Sequence, residues 1–392
     1  MSQNLVVGQS GGATVVINAS LAGVIAAANE WLGPDRVAGM VHGVEGALAG
    51  QFVDLGRLSP PELALLKRTP SAALGSCRLK LSDDGIARLL DRLHTQDARW
   101  FVYIGGNDSA DTANRLAEAA ESAGYALQVV VVPKTIDNDL VGTDHCPGYG
   151  SIARYVASVT QEAGCDTAAM AKVDKVKVIE VMGRNTGWVA SAAGLAKRDP
   201  KDPPQVIWPA EIPFSIDRFL SLVEGSLEKV GHATIVISET IRYESGDLVG
   251  ASGRPEVVDS FGHRRDLRPA DVLCRAISQK LGVRARWDRP GTLQRSSIAY
   301  ASEVDLAEAE LAGRDAVRAL KAGHSRAMVS FVRRPGPVYG IETGLVPLEQ
   351  VANRERSMPL EYLAEDLSDV TDAFRSYAMP LVGELPHFPR LI

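Results

Sequence analysis

Two loops of this chain set carboxylates and a lysine beside glycine turns. The stretch Gly105-Gly106-Asn107-Asp108-Ser109-Ala110-Asp111-Thr112 follows the apolar run Trp100-Phe101-Val102-Tyr103-Ile104 and precedes a helix-like run over 113–123. A glycine pair between a strand and a helix brings backbone N–H groups and the positive end of the helix dipole to an anion, usually a phosphate. Asp108 then adds a negative charge where the expected guest is itself negative. The second loop, Pro133-Lys134-Thr135-Ile136-Asp137-Asn138-Asp139, leaves a run of four valines. A hydroxyl attacking a phosphoryl group needs a positioned base and neutralised charge, so one carboxylate could take the proton while the other holds a metal's water shell. Asp137 and Asp139 alternate along an extended loop and need not point the same way; a solvated acidic loop with an Asx-turn is the competing reading.

Other residues carry the same choice between chemistry and a plain role. Lys134 is a point charge for phosphate oxygens if it lies in a cleft, and a solvated lysine if it does not. Arg184, Arg286 and Arg295 follow glycine-containing or strand-end segments, where a guanidinium fork takes a sugar phosphate bidentately; each alone also reads as a structural arginine. Glu239, at the end of an apolar strand, is an acceptor for sugar hydroxyls or a helix cap. The Gly11-Gly12 turn reads as a phosphate turn or as tight packing. Three other chemistries lack their marks: there is no H-E-x-x-H, no complete G-x-G-x-x-G and no Walker signature.

The elements that must hold these loops follow one pattern. Leu5-Val6-Val7-Gly8 predicts a strand that enters the glycine turn, after which Ile17, Leu21, Val24, Ile25 and Ala28 fall at helical spacing. Strands are expected at 37–41, 100–104, 128–132, 176–181 and 234–237, with a strand over 328–332 returning to the first sheet. Helical spacing is found at Ile86 to Leu93, at Ile152, Tyr155, Val156 and Val159, at Ile216 to Val223, at Val272 to Leu281 and over 299–322. This predicts an α/β fold of two Rossmann-like lobes, each a mainly parallel sheet with helices on both faces. Ligands of such sheets sit beyond the carboxyl ends of the strands, so both acidic loops are expected to share one cleft between the lobes. The expected division is 1–150 plus about 294–345 for the lobe of the glycine turns, and about 151–293 plus 346–392 for the other.

Length and composition agree with that picture. The chain has 392 residues, 36 glycines and 45% hydrophobic residues, enough for two lobes with many strand-to-helix turns. A net charge of -6 without a basic stripe argues against nucleic-acid binding, since Arg264-Arg265 and Arg333-Arg334 are only pairs. Four separated cysteines suggest neither a disulfide framework nor a zinc site. With no basic leader and no run of roughly 20 apolar residues, the reading is a soluble cytoplasmic protein that does not enter a membrane.

Taken in order, Gly11-Gly12, Gly75-Ser76-Cys77-Arg78, 105–109, 133–139, Met182-Gly183-Arg184, Glu239 and 291–295 resemble the phosphofructokinase A family, and within it the pyrophosphate-dependent 6-phosphofructokinases. The ATP-using branch has glycine at positions 108 and 134, where this chain has Asp108 and Lys134. Asp108 would meet the α-phosphate of ATP, and like charges at ~4 Å in a reduced dielectric cost several kcal/mol, while Lys134 retains the shorter donor. The resemblance implies reversible, magnesium-dependent phosphorylation of fructose 6-phosphate at its 1-hydroxyl, with sedoheptulose 7-phosphate, an ATP-dependent enzyme and a non-catalytic sensor as rivals. It implies Asp137 as the base, acting with Lys134, Asp108 and Arg184. Gly11, Gly12, Arg78, Gly106, Asp108 and Lys134 would bind the donor, and Asn107 with Asp137 the Mg2+. The sugar set is Thr135, Asp137, Asp139, Lys175, Met182, Gly183, Arg184, Glu239, Arg286, Thr292 and Arg295. Lys175 matches an arginine that serves a neighbouring subunit's site, which implies a homodimer or homotetramer. Three residues depart from the pattern: Asn107 replaces an aspartate, Thr292 a histidine or tyrosine, and Lys175 that arginine.

Overall fold

The computed structural model describes residues 4–251, 257–258, 264–265 and 268–389. The chain divides into two compact units, one of residues 1–148 and 295–356, the other of 149–294 and 357–392. The segment 346–356, expected with the second lobe, thus belongs to the first. Strand Ile341–Pro347 and the short helix Leu348–Val351 hold it there, with Leu348 and Val351 buried. Residues 390–392 lie outside the described residues.

The first unit is built on a seven-stranded sheet in the order Ile341–Pro347, Ala327–Arg333, Gln128–Pro133, Ala98–Gly105, Asn4–Gln9, Val37–Met40, Phe52–Asp54. The five inner strands are parallel, and each edge strand is antiparallel to its neighbour. Both faces are covered, which explains why the inner strands are apolar at successive positions. Val6, Phe101, Tyr103, Val129 and Val131 join one core, while Leu5, Val7, Val102, Ile104, Val130 and Val132 join the other.

Helices Ile17–Leu32 and Glu303–Lys321 cross on that second face at a backbone-to-backbone approach. A Cβ added at Gly23 would sit 2.1 Å from the Glu310 carbonyl oxygen, and one at Gly313 would sit 2.0 Å from that of Ser20. Only glycine permits this distance.

The second unit holds a four-stranded, all-parallel sheet in the order Ala285–Asp288, Val176–Val181, Ala233–Ser238, Val206–Trp208. Its core gathers Val178, Trp208, Phe219, Ile235, Ile237, Leu273 and Ile277. Both units are therefore α/β with mainly parallel sheets. Among the described residues no helix is long and apolar enough to cross a membrane.

Candidate functional site

In the first unit, strands Asn4–Gln9, Ala98–Gly105 and Gln128–Pro133 are neighbours and parallel, so the loops after them leave the same edge of the sheet. The Ser10 N–H donates to the Ile104 carbonyl at 2.9 Å and the Lys134 N–H to that of Gly105 at 2.9 Å, which ties the three loops at their roots. The 75–78 segment joins them: Gly11 N–H donates to the Cys77 carbonyl, and the Ser76 hydroxyl donates to the Gly11 carbonyl at 2.7 Å. Gly106 caps helix Asn107–Ser122, and Asp108 is exposed in its first turn.

Three cations gather at the Gly11-Gly12 turn. Lys134 is buried, and its Nζ donates to the Gly12 carbonyl at 2.9 Å. A Cβ at Gly12 would come 2.6 Å from Arg295 Nη1 and 3.6 Å from Arg78 Nη2, and one at Gly11, whose φ is +74°, 3.3 Å from Lys134 Nζ. The glycines are there because cations occupy the space. Burial, then the charges of Arg295 and Arg78, push the Lys134 ammonium down to about 8, against the opposing pull of Asp137 and Asp139. Arg295, expected among the sugar-phosphate residues, lies in this unit beside Lys134 and Arg78.

The carboxylates follow at once. Asp137 N–H donates to the Thr135 hydroxyl at 3.1 Å, and Asn138 between the two aspartates has φ +54°. Asn107 Nδ2 donates to Asp139 Oδ2 at 3.2 Å, so the amide meets Asp139. Both partners keep a buried oxygen without a hydrogen-bond partner, Asn107 Oδ1 and Asp139 Oδ1. Burial pushes the Asp139 carboxyl up from its ordinary value, with Thr135 and Lys134 opposing.

The same loop continues into a chain of ion pairs and hydrogen bonds centred on the buried His145. His145 bonds Asp144 Oδ1 through Nδ1 at 2.8 Å and Glu308 Oε2 through Nε2 at 2.7 Å. Tyr339 donates to the other Glu308 oxygen at 2.6 Å, and Arg333 Nη2 to Asp144 at 2.9 Å. Burial opposes charge on His145, but its two carboxylate partners outweigh it and raise its pKa. Asp144, whose burial acts upward, is held below its ordinary value by His145 and Arg333.

The second unit carries the remaining predicted residues. The turn after strand Val176–Val181 is fixed by Met182 N–H, which donates to Gln294 Oε1 at 3.1 Å, and by Gly183 at φ +120°. It ends where the Gly187 N–H donates to Glu211 Oε1 at 2.8 Å; the same oxygen takes the Met358 N–H at 2.9 Å. Arg184 is half-buried within this turn, and Lys175 and Thr292 are exposed. Glu239 lies 3.5 Å from Arg289 Nη2, while Arg289 Nε is 2.9 Å from the buried Glu180. Arg286 and Arg284 both reach Asp174, at 2.7 and 3.0 Å. Arg289, Gln294 and Glu211 were not singled out from sequence. Gln294 sits within the marked 291–295 segment and Arg289 just before it, whereas nothing local to Glu211 signals its role.

A glycine turn crowded by cations, with a carboxylate loop leaving the same end of the sheet two strands away, marks the class of α/β phosphoryl-transfer folds. The family model for phosphofructokinase matches residues 4–320, and the chain belongs to the phosphofructokinase family. It is 41% identical over 390 residues to a pyrophosphate–fructose 6-phosphate 1-phosphotransferase of Xanthomonas campestris pv. campestris, covering 98% of this chain and 92% of that one. It is also similar to the crystal structure of a pyrophosphate-dependent phosphofructokinase from Nitrosospira multiformis, with TM-score 0.89 and 37% identity over 100% of this chain and 94% of that one. A sulfofructose kinase of Alkalicoccus urumqiensis is 32% identical over 92% of this chain and 91% of its own length.

Proposed function

We propose that this chain is a reversible pyrophosphate-dependent kinase, transferring a phosphoryl group between pyrophosphate and the 1-hydroxyl of fructose 6-phosphate to give fructose 1,6-bisphosphate and phosphate. Its setting is the cytoplasm. The observation that carries the reading is the buried Lys134 at the Gly12 carbonyl, flanked by Arg295 and Arg78, with Asp108 exposed at the helix start of the neighbouring loop. Cations draw in a short polyanion, and Asp108 repels a longer one. Asp137 takes the proton of the sugar hydroxyl, which a positioned base makes worth about 10²–10⁴ in rate. Met182, Gly183, Arg184, Glu239 and Arg286 hold the sugar phosphate, with Thr135 and Asp139 beside the base.

The orphaned oxygens Asn107 Oδ1 and Asp139 Oδ1 fit a hard cation such as magnesium. Among the described residues no group of three or more His, Cys, Asp or Glu could hold a metal, which suits an ion that takes most of its ligands from phosphate and water. When bound, magnesium would neutralise charge on the transferred group. Asn107 and Asp139 would hold it, with Asp137 near.

The sugar end has a second reading, because Thr292 breaks the family pattern and a relative that covers most of the chain is named for sulfofructose. One experiment tests both ends: turnover with pyrophosphate or ATP against fructose 6-phosphate, sedoheptulose 7-phosphate and sulfofructose, for the native protein and for Asp108→Gly/Lys134→Gly. Native turnover should need pyrophosphate, and the double variant should gain ATP use. ATP turnover by the native protein without pyrophosphate turnover would sink the donor assignment. A higher kcat/KM for sulfofructose would replace the sugar.

We further propose a homo-oligomer in which the exposed Lys175 serves the site of a neighbouring copy.

A further inference from the structure

Arg356, at the end of the first unit's second segment, makes no contact that its sequence neighbourhood predicts. Its side chain donates to three backbone carbonyls of one loop. Nε and Nη2 reach Asn138 O at 3.3 and 2.9 Å, and Nη1 reaches Thr143 O at 2.8 Å and Asp144 O at 2.7 Å. Its own N–H donates to Asp139 O at 2.7 Å. These are the carbonyls on either side of the Asp139 side chain, together with the return of the same loop.

We infer that Arg356 is a positioning residue for the reaction: it fixes the peptide of Asn138 and so the directions in which Asp137 and Asp139 project. The inference rests on the reading of Asp137 as the base. Asn138 holds a left-handed φ of +54°, which an L-residue adopts reluctantly, and its side chain is spent accepting the Cys146 N–H at 3.0 Å. The loop is closed below by Thr135 N–H donating to Pro147 O at 3.2 Å. Between these ties the carbonyls of 138, 143 and 144 converge, and a planar guanidinium with five fixed N–H donors serves all three at once. A lysine ammonium keeps the charge but cannot span them.

The test uses the full chain with Arg356→Lys and Arg356→Ala, and Asp137→Asn as control, reading kcat, KM for pyrophosphate, melting temperature and the response to added guanidinium ion. Displacing a catalytic group by about 1 Å costs about 10²-fold. Arg356→Ala should therefore lose about that in kcat, more than any change in the pyrophosphate KM, with part of the kcat restored by guanidinium. Arg356→Lys should melt like the native protein yet lose about tenfold or more. A kcat within about twofold of native in either folded variant overturns the inference, as does a loss that guanidinium leaves untouched. If Arg356→Ala does not fold, Arg356→Lys decides on kcat alone. An active Asp137→Asn variant would instead overturn the base assignment.

Discussion

In the proposed reading donor recognition turns on Lys134, a buried cation at the Gly12 carbonyl. Burial and the neighbouring Arg295 and Arg78 bring it to about 8, so in the free enzyme it loses its proton as pH rises through that value. The kcat/KM for pyrophosphate should fall above about pH 8, approaching tenfold per unit, as expected when one group must stay protonated. Lys134→Arg, whose guanidinium stays charged, should lack that limb. Equal alkaline limbs in both proteins, or a flat native profile to pH 9.5, would remove Lys134 from the role. Lys134, Asp137 and Asp108 could be singled out from sequence because each sits in a short string that follows an apolar run. Arg356 was not. Its partner Asn138 lies 218 positions away, and nothing around an arginine in a coil announces which carbonyls it will meet.

The same contrast holds for elements. Inner strands such as Ala98–Gly105 and Gln128–Pro133 are buried along almost their whole length and declare themselves as apolar runs. The edge strands Phe52–Asp54 and Ile341–Pro347 are half-exposed and alternate too weakly to be read, and Val206–Trp208 is only three residues long. Unread, too, was how helix Glu303–Lys321 joins the chemistry's loop to the sheet edge. Glu308 on that helix holds His145, and Asp144, Arg333 and Tyr339 complete the group. The raised His145 pKa means that its contribution to stability is complete below its ordinary value of 6.5 and drains as pH rises through the folded value. Asp144, lowered, acts in the opposite sense and loses its contribution only as pH falls through the acid range. The native melting temperature should thus decline as pH rises above 6.5 more steeply than that of His145→Gln. Parallel curves in that window would show that the imidazolium does not stabilise the fold.

At the scale of the whole molecule, the chain passes between its units three times, and residues of the proposed site stand at two of the crossings. Gln294 belongs to one unit, where it fixes Met182, and Arg295, the next residue, belongs to the other, where it stands at the Gly12 turn. Arg356 ends the first unit, and two residues later Met358 is anchored on Glu211 together with Gly187. One peptide bond therefore separates the residue that fixes Met182 from the residue that stands at the Gly12 turn. The exposed Lys175 has a different place. It follows the buried Asp174, which already holds Arg284 and Arg286, and it directs its charge to solvent in the single chain. If a neighbouring copy uses that charge, two inactive variants should repair each other. Asp137→Asn lacks the base but keeps Lys175, and Lys175→Ala keeps the base. In a mixed dimer one site inherits both defects and the other neither. Random re-association of equal amounts makes half the dimers mixed, with one intact site in each, so about a quarter of native activity should return under the symmetry of a two-fold dimer. Recovery no greater than the sum of the separate variants, with subunit exchange demonstrated by mass, would confine Lys175 to its own chain.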